Sequence, residues 1–231
     1  MIMNNKYKQM LEAINQGIKF ALDDFEDQED IQGQVNSKVN NISNVKEYIR
    51  WLNLVDKVND YDITKEDVAE LMELGQLLNL KFKADNDTLR AIIYYICGIN
   101  PRADLNWIDT GNVTDMSLLF HWTAFNGNIS EWDVSNVNTM LEMFEQSSFN
   151  GDISKWNVSK VKNMSYMFAH SNFNKPIGNW DVSNVKTIGF MFYDARKFNK
   201  DISKWDVNAW DTDHMFSDCP IKEKFKPELP W

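Results

Sequence analysis

Apolar positions in the first third of the chain recur at steps of three and four, whereas from Phe125 onward they recur in a block of 24 or 25 residues. In residues 5–22, Tyr7, Met10, Leu11, Ile14, Ile18 and Leu22 fall on one stripe, the pattern of an amphipathic helix. Val39, Ile42, Val45, Tyr48, Ile49, Leu52, Val55 and Val58 keep helical spacing through residues 35–61 without Gly or Pro, predicting the longest helix of the chain. Thr64-Lys-Glu-Asp67 has the form of an N-terminal cap ahead of Val68, Leu71, Met72 and Leu78. Asp87 is placed to cap a helix over residues 89–97, with Gly98 as its stop and Pro101 beyond. Residues 1–84 are therefore expected to form an all-helical domain.

The second half follows another rule. Phe-Asn-x-x-Ile-Ser-x-Trp-Asp-Val-Ser-Asn-Val-x-x-Met-x-x-Met-Phe is written almost four times, restarting at Phe125, Phe149, Phe173 and Phe198, and Trp132, Trp156, Trp180 and Trp205 keep the same steps. A unit of this length cannot bury its apolar face alone and stacks on copies of itself. Ser135, Ser159 and Ser183 stand before helically spaced apolar positions, Val137, Met140, Met143 and Phe144 in the first full unit, which predicts a Ser N-cap and about two turns of helix. The Ile-Ser-x-Trp segment, Ile153 to Trp156 for example, predicts a short strand. The expected fold class is α/β: an N-terminal all-helical domain, then a short solenoid of strand-turn-helix units over residues 85–220. The helix after Asp87 would cover one open end. The degenerate last unit, ending at Phe216, and a tail of residues 221–231 would close the other, with Trp231 either in the closing layer or free to anchor a partner.

Positions constant between units point to structure, and variable ones to binding. Asn126, Asn150, Asn174 and Asn199 follow each leading Phe, where a stacked amide can satisfy the turns of its neighbours. Asp133, Asp181 and Asp206 share a position with Asn157, an interchange that suits turn capping and would disable a catalytic carboxylate. The residue before each Met-Phe or equivalent pair varies: Leu118, Glu142, Tyr166, Phe190 and His214. Stacking would set these five in one column, either as an interaction surface or as packing between neighbouring units. A second variable column, Glu131, Lys155, Asn179 and Lys204, precedes the tryptophans and alternates onto an open, polar face. Both columns are candidate partner-binding residues.

Charge and candidate chemistry narrow the function. The net charge of −10 divides as −6 over residues 1–100 and −4 over the rest, so neither half offers the basic footprint for direct nucleic-acid or anionic-membrane binding. Six acids in residues 23–30 lack the ligand order and central Gly of an EF-hand and read as a solvated run. Cys97 and Cys219 form no CxxC or metal spacing, and a disulfide framework is not expected. His121, His170 and His214 occupy different places in the repeat, so no metal site or cofactor is expected. No triad, HExxH, GxGxxG or phosphate loop is present, which argues against an enzyme. The polar start Met-Ile-Met-Asn-Asn-Lys and the lack of a long apolar run predict a cytoplasmic chain without membrane insertion.

Phe149-Asn-Gly-Asp-Ile-Ser-Lys-Trp-Asn-Val-Ser-Lys-Val-Lys-Asn-Met-Ser-Tyr-Met-Phe168, with the entry Asp104-Leu-Asn-Trp-Ile-Asp-Thr-Gly-Asn-Val-Thr-Asp-Met-Ser117, resembles the BspA-like surface-protein repeat family, also known from mycoplasma-type lipoproteins, over about residues 87–219. The resemblance implies a leucine-rich-repeat-type scaffold that binds proteins without catalysis, often at a bacterial surface. The expected function is a protein–protein interaction module. It extends to an intracellular immunity protein or inhibitor that occludes a partner's basic surface; the alternative is an exported protein of the adhesin type.

Overall fold

The computed structural model describes residues 42–60 and 62–230. The helix expected over residues 5–22 and the acidic run at 23–30 lie outside the described residues. The chain divides into two compact units, Met1–Phe82 and Lys83–Trp231, each described by itself.

In the first unit, α1 (Ile42–Asn59) and α2 (Lys65–Leu78) pack as neighbours. Ile49, Trp51, Leu54 and Val58 of α1, and Val68, Leu71 and Leu74 of α2, are buried, while Leu52, Val55, Met72 and Leu78 of the expected stripes are only half-buried. Thr64 caps α2 through a box in which its hydroxyl accepts from the Asp67 N–H while the Asp67 carboxylate accepts from the Thr64 N–H. The helix ends at Asn79, whose φ of 51° is the left-handed conformation that Asn tolerates.

In the second unit, α3 (Asn86–Ile99) is capped two residues before the expected position. Asp85, not Asp87, accepts from the N–H groups of Asp87 and Thr88, and the Thr88 hydroxyl accepts from the Asp85 N–H in return. Gly98 lies inside α3, and the helix stops at Asn100, where the following Pro101 disfavours a helical conformation. At the start of this unit the two-residue strand β1 (Phe82–Lys83) pairs with β2 (Ile108–Asp109), and the Ala84 N–H donates to the Asp109 carbonyl. The N-terminus of α3 occupies the place a preceding layer would hold: the Asn86 side-chain carbonyl accepts from the N–H groups of Thr114 and Asp115, and Arg90 donates to the Ser117 carbonyl.

From there the chain forms a ladder with a 24-residue step. Single parallel bridges link Asp115 to Thr139, Thr139 to Asn163, Asn163 to Thr187 and Thr187 to Asp211. Each layer is built of consecutive β-turns rather than the expected strand and helix. In the layer around Met140, the N–H groups of Met143, Glu145 and Ser147 close turns onto the carbonyls of Met140, Glu142 and Phe144. The N–H groups of Met140, Glu142, Phe144 and Gln146 instead donate to the next layer, at Asn163, Ser165, Met167 and Ala169. A helix would direct all of these inward to the carbonyl four residues earlier. Turns that each close over three residues allow the same apolar spacing as a helix, which explains the difference. Ser135, Ser159 and Ser183 are likewise not helix caps; their N–H groups donate to Asp133, Asn157 and Asp181 in Asx turns. Ile-Ser-x-Trp is a turn, closed by Trp156 N–H onto the Ile153 carbonyl.

The interior is a double file of stacked rings. Phe120, Phe144, Phe168, Phe192 and Phe216 follow one another with centroids 5.4 to 5.9 Å apart, and Phe125, Phe149, Phe173 and Phe198 run beside them at 6.1 to 6.3 Å. The tryptophans flank this file, and each indole N–H reaches back to a backbone carbonyl: Trp132 to Leu105, Trp156 to Ile129, Trp180 to Ile153 and Trp205 to Ile177. The Asn file is stacked as well. The side-chain carbonyl of Asn126 accepts from Asn150 N–H, Asn150 from Asn174 N–H, Asn174 from Asn199 N–H and Asn199 from Lys222 N–H. The tail closes the far end: Ile202 N–H bonds to the Phe225 carbonyl within a short 3-10 turn (Glu223–Phe225), and Lys226 lies over the Phe216 ring. Trp231 lies outside the described residues. Among the described residues no helix is long and apolar enough to cross a membrane.

Close approach of successive layers demands glycine at Gly127, where a Cβ would fall onto the Ala103 carbonyl, and at Gly178. A Cβ at Gly178 would fall onto the Asp201 carbonyl of the following layer, whereas one at Gly98 would meet nothing within 4 Å. Gly178→Ala is expected to cost about 2–3 kcal/mol, while Gly98→Ala, inside α3, stabilises by about 0.5–1 kcal/mol. Urea unfolding of the two variants of the full chain checks the opposite signs.

Candidate binding face

The five variable residues Leu118, Glu142, Tyr166, Phe190 and His214 are held in register by the ladder itself. Their backbone N–H groups, except that of His214, donate to the next layer: Leu118 to Leu141, Glu142 to Ser165, Tyr166 to Gly189 and Phe190 to Asp213, at 2.8 to 3.1 Å. All five have positive φ, between 50° and 62°. Each is the third residue of a turn closed by the residue after it, the place where a type II turn requires φ > 0 and usually takes Gly or Asn. An L-residue with a side chain costs about 1–2 kcal/mol there. The bonds to the neighbouring layers hold the conformation.

The lower part of the column is a continuous aromatic stack. Tyr166 and Phe190 lie face to face, centroids 4.6 Å apart and 2° from parallel, and Phe190 meets His214 at 5.0 Å. Tyr193 sets its edge on Phe190 at 5.7 Å. Tyr166 and Phe190 are half-buried; Leu118 is 47% exposed. Burial, followed by the charges of Glu145 and Asp211, pushes the Tyr166 phenol above its ordinary range.

A second column escaped the sequence pattern. Trp122, Gln146, His170, Asp194 and Asp218 stand four residues after the first set, and all have φ between 49° and 58°. Trp122 is 68% exposed and Leu118, four residues earlier, is 47% exposed, two large apolar side chains left on the surface. Lower down, Asp194 receives Arg196 Nε at 2.6 Å and lies 3.1 Å from His170 Nδ1. The hydrogen bond from Arg196 and then that from His170 hold the Asp194 carboxyl below the usual range. The repeat period alone could have located this column, but five unrelated side chains gave no reason to single it out.

Glu131, Lys155, Asn179 and Lys204 are all exposed, each within a tight turn before its Trp and not on an alternating strand. Two are tied to an earlier layer, Glu131 through its N–H to the Asn106 side chain and Asn179 through its amide to the Ser154 carbonyl. Of the two cysteines, burial pushes the Cys97 thiol up to about 11 and the Cys219 thiol also upward, so neither is an activated nucleophile.

No curated protein and no solved structure matches the chain. A family model does, described as "Mycoplasma protein of unknown function, DUF285", over residues 93–172 and again over 145–228. The two matches overlap by about one 24-residue step of the ladder. Together they cover α3 from its second turn, every layer and the closing tail, more than half of the sequence, and the chain belongs to this bacterial family.

Proposed function

We propose that the ladder is a short leucine-rich-repeat-like solenoid of the BspA-like type and that it acts as a non-enzymatic protein-binding module. The observation that carries this is the pair of left-handed columns. Their fixed backbone presents Leu118, Trp122, Tyr166, Phe190 and His214 outside the phenylalanine core, and aromatic side chains on a rigid support are the usual anchors of a protein interface. A net charge of −10 favours a partner with a basic surface, and such a pairing would be steered electrostatically and weakened by salt. An immunity protein or inhibitor that covers a basic surface inside the cell fits these properties. The motif's resemblance to surface-protein repeats supports an exported, adhesin-type protein as the alternative.

Affinity purification of the tagged full-length chain from its own cells, at low and high salt, tests this reading. One stoichiometric, salt-sensitive partner is expected, and Trp122→Ala or Tyr166→Ala should lose it. Recovery of the protein only at the cell surface or in the medium would favour the adhesin class. Capture that is unchanged in both variants would remove the columns from the binding face.

The same residues make a stability prediction. Tyr166→Ala is expected to cost only about 1 kcal/mol, the order of one lost aromatic stack on a half-buried face. Phe190→Ala, which faces both Tyr166 and His214, should cost somewhat more. Chemical unfolding that shows either variant as damaged as a core Phe truncation would make the column packing rather than surface.

A further inference from the structure

His121, Glu142 and Glu145 converge in two consecutive layers of the ladder. His121 Nδ1 lies 3.3 Å from Glu145 Oε2 and 3.9 Å from Glu142 Oε2, and one ligand atom from each residue lies within 4.8 Å of the other two. An ion about 2.0–2.1 Å from imidazole nitrogen and carboxylate oxygen holds tetrahedral neighbours about 3.3–3.4 Å apart. The donors therefore need only small side-chain rotations to close on one.

The supporting backbone is already fixed. Glu145 follows His121 by one 24-residue step and so occupies the same place in the next layer. Trp122 N–H donates to the Glu145 carbonyl at 3.0 Å, joining the layers at this point, and Glu145 N–H closes a turn onto Glu142 at 3.2 Å. Glu142 is held at φ 56° by its own bond to Ser165.

Two features are costly without a ligand. His121 Nδ1 is shut off from solvent and, despite its nearness to Glu145, makes no hydrogen bond of acceptable geometry among the described residues. Glu145 and Glu142 also set two carboxylates side by side around the same imidazole. A cation would satisfy the imidazole lone pair and both carboxylates at once.

We propose that His121, Glu142 and Glu145 bind a divalent first-row cation, with Zn²⁺ the ion that one imidazole and two carboxylates suit best. Three protein ligands leave a coordination position open toward solvent or a partner side chain. The ion joins two layers of the ladder next to exposed Trp122 and Leu118.

The test uses the full-length chain, stripped by chelator and titrated with zinc chloride in a calorimeter. About one equivalent should bind saturably and raise the thermal midpoint. His121→Ala and Glu145→Gln should each weaken binding by at least about tenfold, because each removes a ligand. Glu73→Gln, an exposed carboxylate in α2, should leave it unchanged. A second measurement needs no variant: Zn²⁺ should protect His121 from diethylpyrocarbonate while His170 and His214 react as before, read by peptide mass spectrometry. No saturable uptake, equal uptake by the ligand variants, or modification of His121 at the same rate with and without Zn²⁺ would each overturn the site.

Discussion

Phe168→Ala should lower the stability of the second unit by about 3–5 kcal/mol, the range for deleting a fully buried aromatic ring. Phe168 has no exposed surface and lies between Phe144 and Phe192, at 5.6 and 5.7 Å, with Phe173 at 4.1 Å and Trp180 at 6.5 Å. The truncation therefore opens a cavity at the middle of the file and removes stacking on both sides. Phe216, at the end, stacks on Phe192 alone within the file, is only half-buried and is covered by Lys226. Phe216→Ala should cost distinctly less, about 1–2 kcal/mol, as expected when each layer contacts only its neighbours. Denaturant unfolding of both variants, with amide exchange to locate the loss, decides the matter. Equal costs at the middle and the end would contradict nearest-neighbour stacking.

The repeat was legible because the residues that set it are chemically specific. Phe149, Trp156 and Asn150 recur at one step, and each has a duty that must be met in every layer: filling the file, reaching back to a carbonyl, or accepting the next Asn N–H. The local conformation was not legible, because a chain of β-turns and a short helix place apolar residues at the same intervals. Val137, Met140, Met143 and Phe144 satisfy either, and only the direction of the N–H groups, inward for a helix and alternately outward here, separates them. The left-handed positions were hidden for a related reason. Gly and Asn usually announce φ > 0, but Leu118, Trp122, Tyr166 and Phe190 carry it without either, since the layers on both sides impose it. The cap at Asp85 was missed because Asp87 offers the same side chain two residues later, and the reciprocal bond with Thr88 settles the choice. At the candidate cation site His121 and Glu145 are one step apart, yet comparing histidines only with one another concealed a ligand set of mixed residue type.

Asp67→Ala should cost the first unit about 3 kcal/mol, combining a lost helix cap with a broken, largely buried ion pair. The Asp67 side chain is 2% exposed and accepts from Lys57 Nζ at 2.8 and 2.9 Å, from Thr64 N–H at 3.0 Å and from the Thr64 hydroxyl at 2.8 Å. Burial alone would raise its pKa and is the largest single influence, but the hydrogen bonds from Lys57 and Thr64 together outweigh it and hold the carboxyl below the ordinary aspartate range. A depressed folded value stabilises fully above the unfolded value of about 3.9. That contribution is lost as pH falls through the folded value, because the native state must then take up a proton that the unfolded chain already holds. Asp67→Asn keeps an acceptor for Thr64 but removes the charge facing Lys57, so it should fall between wild type and Asp67→Ala near neutrality. Its deficit against wild type should then shrink as the pH is lowered below about 4. Urea midpoints across that range, with amide exchange read over α1 and α2, give the comparison. A deficit that stays constant into acid would show that Asp67 acts only as a neutral cap and that its charge contributes nothing.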